Sequence, residues 1–253
     1  MKNLIINADD FGISREVNYA IMAAMDSNLC TDTTLLVNFD DSVHAAELAI
    51  SKNRTGDVGI HLNLTEGTPL TQKIRVEGRF CNDQGQFHNK KHKRIIHLTK
   101  SEQKAVYEEL TSQIHLCRNL GIPISHADSH NHIHEEPGLM FLLIDILKKE
   151  KIPFLRLTNN IGKTSFKNMF YRNSYNAILG FNKLAGTDYF GSTSNLNKYP
   201  KIISENSIIE LMIHPGQIRD YQIFDVYSKE NLSLILPEII VGNKLVSYNQ
   251  LTK

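Results

Sequence analysis

What most constrains this chain is its alternation of short apolar runs with amphipathic segments, together with the polar residues that end those runs. Leu4 to Ala8 reads as a buried strand that stops at two carboxylates, Asp9 and Asp10, with Gly12 just beyond. Ser14 then offers an N-cap, and Val17, Ala20, Ile21, Ala24 and Met25 repeat at helical spacing. The same alternation predicts strands over 33–38, 58–64, 122–128, 153–157, 208–214 and 244–248. Helices are expected over 42–50 (through Val43, Ala46 and Ile50), 99–120, 139–147 and 230–240. In the longest of them Thr99 and Glu102 make a capping box, Val106, Leu110, Ile114 and Cys117 share a face, and Gly121 closes the end. Repeated βα units imply a mostly parallel sheet, of about seven strands here, buried by helices. Asp9, Asp10, His61, His130 and His214 all fall at or just past C-terminal strand ends, which is the active-site rim of a (β/α) barrel. An open doubly wound sheet would place its site similarly and stays possible.

Two stretches break the alternation. Residues 73–97 are polar and basic, and 159–201 mix Asn, Ser and Gly with aromatics from Phe166 to Phe190. They read as loop excursions from one domain spanning 1–253. A chain of 253 residues can bury its core without staples. Its 28 basic and 27 acidic side chains leave a net charge of +1, which gives nucleic acid or an anionic membrane nothing to hold. The run Lys90-Lys91-His92-Lys93-Arg94 reads as a solvated loop. Cys30, Cys81 and Cys117 are odd in number and widely spaced, so a disulfide framework is not expected, and Cys30 and Cys117 read as small buried hydrophobes. With no signal-like apolar stretch and none near the roughly 20 residues that span a bilayer, a cytoplasmic protein is expected.

The chemistry concentrates in a few places. Asp9 and Asp10 repel each other, and a cation nearby would resolve the conflict; the plainer reading is an acidic pair favouring the dipole of the helix that follows. Both can serve one site only if the chain turns there, since strand neighbours point oppositely. His61 alone in an apolar strand is more often a core group than a ligand. The segment from His126 to His134 holds four histidines and Asp128 in nine residues, a density that suits Zn²⁺ or a similar metal. In an extended chain His130, His132 and His134 would share one face with Asp128. His214 stands between an apolar strand and the Pro215-Gly216 turn, placed either to face a pocket or simply at the surface. Arg156, inside an apolar strand, needs a carboxylate or a substrate group, with Asp9 and Asp128 as candidates.

Four motifs in order, Asn7-Ala-Asp-Asp-Phe-Gly12, Gly59-Ile-His-Leu-Asn-Leu-Thr-Glu-Gly67, Asp128-Ser-His-Asn-His-Ile-His134 and Ile213-His-Pro-Gly216, resemble the signatures of the YdjC-like carbohydrate deacetylases. The resemblance covers residues 7 to 216. It implies a distorted (β/α) barrel that removes an N-acetyl group from a small sugar, such as an acetylated chitooligosaccharide, with one divalent metal, Mg²⁺ or Zn²⁺. Histidine ligands favour Zn²⁺ on chemical grounds. It implies Asp10, His61 and His130 as ligands, Asp9 as general base and His214 as general acid. Asp128, His132, His134 and Arg156 become substrate contacts or supports of the ligands. A homodimer is a further implication.

Rival readings differ in what they leave unused. A glycoside hydrolase needs two carboxylates flanking the bond, roughly 5–10 Å apart, and leaves the histidines without work. A sugar isomerase would use the metal without hydrolysis. A non-catalytic sugar-sensing barrel would lack the base or the acid, yet Asp9 and His214 are both present.

Overall fold

The computed structural model describes residues 1–88, 94–199 and 203–251. Seven parallel strands form its main sheet: β1 (Asn3–Phe11), β2 (Asp32–Leu35), β3 (Val58–Leu62), β4 (Ala127–Ser129), β5 (Tyr189–Ser192), β6 (Ile208–Ile213) and the short C-terminal Lys244–Leu245. Their order is β4-β3-β2-β1-β6-β5, with Lys244–Leu245 also on β1. Both faces of β1 are buried, as a strand at the centre of a parallel sheet requires.

The sheet curls into a distorted (β/α) barrel whose seam lies between β4 and β5. Residues 154–160 span that seam. Leu155 bridges Ala127 in parallel, and Arg156 donates its amide to Ala127 O at 3.0 Å. On the other side the Asn160 amide reaches Phe190 O at 3.2 Å, and Asn160 Oδ1 accepts from the Phe190 amide at 2.8 Å. The strand expected over 153–157 is therefore a single bridge, because its backbone turns from one edge strand toward the other. The strand expected over 122–128 begins only at Ala127; Ile124, at φ 62°, interrupts the extended path.

Helices α1 (Arg15–Asp26), α2 (Ser42–Ser51), α3 (Gln72–Arg75), α4 (Lys100–Asn119) and α5 (Pro137–Lys149) follow the strands. Ser14 caps α1 by accepting from the Val17 amide at 3.3 Å. The Thr99–Glu102 capping box starts α4, its Val106, Leu110, Ile114 and Cys117 stripe is buried, and Gly121 ends it at φ 87°. The face of α2 differs from expectation. Ala45, Ala46 and Ala49 are buried while Val43 and Ile50 are about half exposed, because small residues let the helix lie close to the sheet.

The excursion over 159–201 is largely built structure. It contains α6 (Phe166–Phe181), β5 and α7 (Thr193–Lys198), so a stretch read as loop supplies an edge strand of the sheet. The excursion over 73–97 holds most of α3 and an isolated Cys81–Phe87 bridge; residues 90–93 of the basic run lie outside the described residues. After His214 comes an unexpected antiparallel hairpin, β7 (Pro215–Arg219) and β8 (Gln222–Asp225), then α8 (Leu232–Ile240). The final strand is two residues long, against the five expected. Among the described residues no helix is long and apolar enough to cross a membrane.

Candidate metal centre

The acidic pair ends β1 in a turned conformation. Asp10 has φ 71°, and the β1–β2 register slips between Ala8 and Phe11. Alternation would send Asp10 away from Asp9, and this backbone turn lets both carboxylates face the barrel's C-terminal rim. Asp9 and Asp10 are both buried there.

Two histidines from other parts of the chain meet Asp10. Its Oδ1 lies 2.9 Å from His130 Nδ1 and 3.3 Å from His61 Nε2, and the three residues offer ligand atoms within 4.8 Å of one another. His61 stands on β3, and its Nδ1 approaches Asp128 Oδ1, on neighbouring β4, at 2.6 Å. Thr34 on β2 donates to the other oxygen of Asp128 at 3.1 Å. With the Nδ1 proton given to Asp128, a neutral His61 would present a lone pair to the carboxylate of Asp10. A cation or a proton between them removes that repulsion. The electrostatics agree. Burial draws the His61 pKa down, but Asp128 and Asp10 lift it to about 10. Burial likewise lifts Asp10, and its contacts with His130 and His61 hold it well below the ordinary carboxylate value. The gap between His61 Nε2 and Asp10 Oδ1 is where a divalent ion would sit, and His130 Nε2, buried without a hydrogen-bond partner, is a further unused donor. Its closest carboxylate is Glu66 Oε2 at 3.5 Å, beyond good hydrogen-bond geometry. A set of two imidazoles and one carboxylate fits a divalent ion with open positions.

Asp9 is held differently. Arg156 grips it with two bonds, 2.6 Å to Oδ2 and 2.7 Å to Oδ1, while Asn7 donates to Oδ1 at 2.8 Å. Burial pushes this carboxyl up; the guanidinium outweighs it and keeps Asp9 ionised far into acid. Both carboxylates considered for Arg156 contact it, Asp128 Oδ2 at 2.7 Å as well as Asp9. A third, Glu210 Oε1 on β6, also lies at 2.7 Å. Glu210 is a lone acid in an apolar strand, Ile208-Ile-Glu-Leu-Met-Ile213, the same signal that singled out Arg156.

His214 follows β6 and lies half-buried. Its Nδ1 is 3.8 Å from Asp225 Oδ2, its backbone amide donates to that oxygen at 2.7 Å, and the Tyr227 ring stands edge-on at 4.6 Å. Burial lowers the His214 pKa, but Asp225, Asp9 and Asp10 together raise it above the ordinary histidine value. Tyr227 also places its hydroxyl 3.3 Å from Asp10 Oδ2. Neither Asp225 nor Tyr227 carried a signal in the sequence, since the hairpin that brings them back was not expected.

The histidine cluster does not share one face. Residues 130–135 form a 3-10 turn in which Asn131 and His132 take φ of 54° and 55°, so the extended ladder is broken. His130 goes to Asp10, while His132 and His134 gather with Glu135. Burial pulls His132 down to about 4 and His134 well below the ordinary value. His126 is a core group: it stacks on Tyr248 at 3.9 Å, bonds Asn7 Oδ1 at 3.1 Å, and presses on Gly59. The loop bearing Glu66 is pinned by α4, whose Gln113 pairs with both backbone groups of Asn63 and whose Glu109 accepts the Leu70 and Thr71 amides.

Comparison with known proteins places this geometry. The family model described as YdjC-like protein matches residues 3–234. A carbohydrate deacetylase of Halalkalibacterium halodurans is 30% identical over 219 residues, 85% of each chain. One from Brevibacillus brevis is 28% identical over 222 residues, covering 85% of this chain and 82% of its own. Among solved structures, an Enterococcus faecalis V583 protein described as a candidate cellobiose-phosphate cleavage protein superposes with a TM-score of 0.73 over 98% of this chain and 97% of its own, at 22% identity. That likeness speaks to the fold.

Proposed function

We propose that this chain, which belongs to the YdjC-like protein family, is a metal-dependent carbohydrate deacetylase that hydrolyses the N-acetyl group of a small sugar such as an acetylated chitooligosaccharide. The observation that carries the reading is the convergence of His61 Nε2 and His130 Nδ1 on Asp10 Oδ1 at the barrel's C-terminal rim. Asp10, His61 and His130 would hold one divalent ion, Zn²⁺ in preference to Mg²⁺ because two donors are imidazoles. When bound, the ion supplies Lewis acidity toward a water and the acetyl carbonyl.

The chain's own groups do the rest. Asp128 fixes the ring of His61, and Arg156 orients Asp9. Asp9 Oδ2 carries one hydrogen bond where Oδ1 carries two, so Oδ2 has the free lone pair that takes the proton of the attacking water. The water oxygen bonds to the acetyl carbon, the C–N bond breaks, and His214 gives its proton to the departing sugar nitrogen. Acetate and a free amino sugar result. The three unpaired cysteines, all buried, suit a reducing cytoplasm. A homodimer belongs to the same reading, and light scattering of the purified chain checks it.

The test is acetate release from N-acetylated chitooligosaccharides at matched metal content. Asp9→Asn and His214→Ala should each lower kcat about 10²–10⁴-fold while keeping the metal. Full activity in both variants would refute the two roles.

A further inference from the structure

The turn at residues 130–135 carries more ligand chemistry than the first centre uses. With Asn131 and His132 at positive φ, His130 points toward Asp10, and His132, His134 and Glu135 come together as a second group. One donor atom from each of these three lies within 4.8 Å of the others. Two ring nitrogens in the group, His132 Nδ1 and His134 Nε2, are buried without a hydrogen-bond partner. His134 is itself fully buried. Leaving a buried polar atom unsatisfied is costly, so two on neighbouring rings point to a ligand between them.

We propose that His132, His134 and Glu135 form a second divalent-metal site, beside the Asp10–His61–His130 centre but built from different residues, and suited to Zn²⁺ or Co²⁺. The donor set is two imidazoles and one carboxylate, which these borderline ions accept and Mg²⁺ disfavours. His134 is already set for the task. Its Nδ1 lies 2.6 Å from Ser129 Oγ, which also accepts the His134 amide at 2.9 Å, so Nε2 is the nitrogen left for a ligand. Ligating histidines are oriented in this way through their other nitrogen. The backbone beneath is fixed from α6: Tyr175 donates to His134 O at 2.5 Å, and Tyr171 donates to Glu135 O. Phe190 covers one side, edge-on to His132 at 6.0 Å. All three ligands come from the turn that presents His130, so a cation there braces that turn. The role is structural, holding the turn rather than taking part in hydrolysis.

Metal stoichiometry tests this without reference to turnover. Full-length protein is stripped with chelator, dialysed against Zn²⁺ or Co²⁺, and its bound metal measured by mass spectrometry. Wild type should hold about two ions per chain, while His61→Ala and His132→Ala should each keep about one. Ser129→Ala should weaken the second ion about 10–100-fold. Glu135→Gln, which preserves volume, guards against misfolding of the histidine variant, and the visible Co²⁺ spectrum of His61→Ala should vanish when it is added. One ion in wild type and none in His61→Ala would overturn the second site, leaving these rings to water or substrate. Two ions in wild type that survive both His132→Ala and Glu135→Gln would overturn it equally. Loss of metal from the His132 and Glu135 variants with none lost from His61→Ala would uphold this site and refute the first centre.

Discussion

Replacing Arg156 by Met removes one buried cation from among three buried carboxylates. The guanidinium lies 2.6–2.7 Å from Asp9, 2.7 Å from Asp128 and 2.7 Å from Glu210, and all four groups are buried. Breaking a buried pair by deleting one partner costs about 3–5 kcal/mol, because the other charge is left unpaired. At about 2–4 °C per kcal/mol for a chain of this size, the melting temperature at pH 7 should fall by about 6–20 °C. The sign of the pH dependence follows from Asp9. In the wild type its pKa is depressed, so its contribution is present above the unfolded value of about 3.9 and disappears only as pH falls through the depressed one. Without Arg156, burial dominates and the folded pKa rises above the unfolded one. The variant then gains stability as pH falls toward that raised value, and the gap to wild type narrows between pH 7 and pH 5. Calorimetry of both proteins in chelator measures it. A cost below about 1 kcal/mol at pH 7, or a gap that widens toward acid, would refute the reasoning.

Asp225→Asn removes a carboxylate 3.8 Å from His214 that helps raise its pKa. Under the role proposed for His214 as proton donor, its titration sets the alkaline limb of kcat, so that limb should move to lower pH in the variant; an unmoved limb argues against His214 as the acid. Gly59→Ala would set a Cβ 2.7 Å from the His126 ring and carbonyl, and overpacking of that kind costs about 1–3 kcal/mol, read from the urea midpoint. An unchanged midpoint would show that His126 is free to shift.

The sequence revealed most where backbone periodicity and chemistry coincide. The strand carrying His61, the capped helix at 99–120 and the apolar strand before His214 could be read because their side-chain spacing is regular. The candidate ligands Asp10, His61 and His130 come from motif resemblance, and their meeting in space depends on the positive φ at Asp10, which residue types alone do not signal. The same limit misplaced His132 and His134, since two non-glycine left-handed residues overrode the alternation that an extended chain would show. Glu210 was legible in principle, being an acid in a buried strand that demanded a partner as plainly as Arg156 did. Asp225 and Tyr227 were not, because they reach the site only through the hairpin after His214. The aromatic stretch over 159–201 lacked clean periodicity, so α6 and edge strand β5 were hidden in it.

The most direct measurement is acetate release from diacetylchitobiose before chelation, after it, and after metal is restored, for wild type and Asp10→Asn. The account predicts wild-type acetate release that is abolished by chelator and returns with Zn²⁺, and a variant that stays inactive with metal added. Acetate release that persists in chelator, or in Asp10→Asn at wild-type rate, would contradict a metal-dependent reaction at this centre.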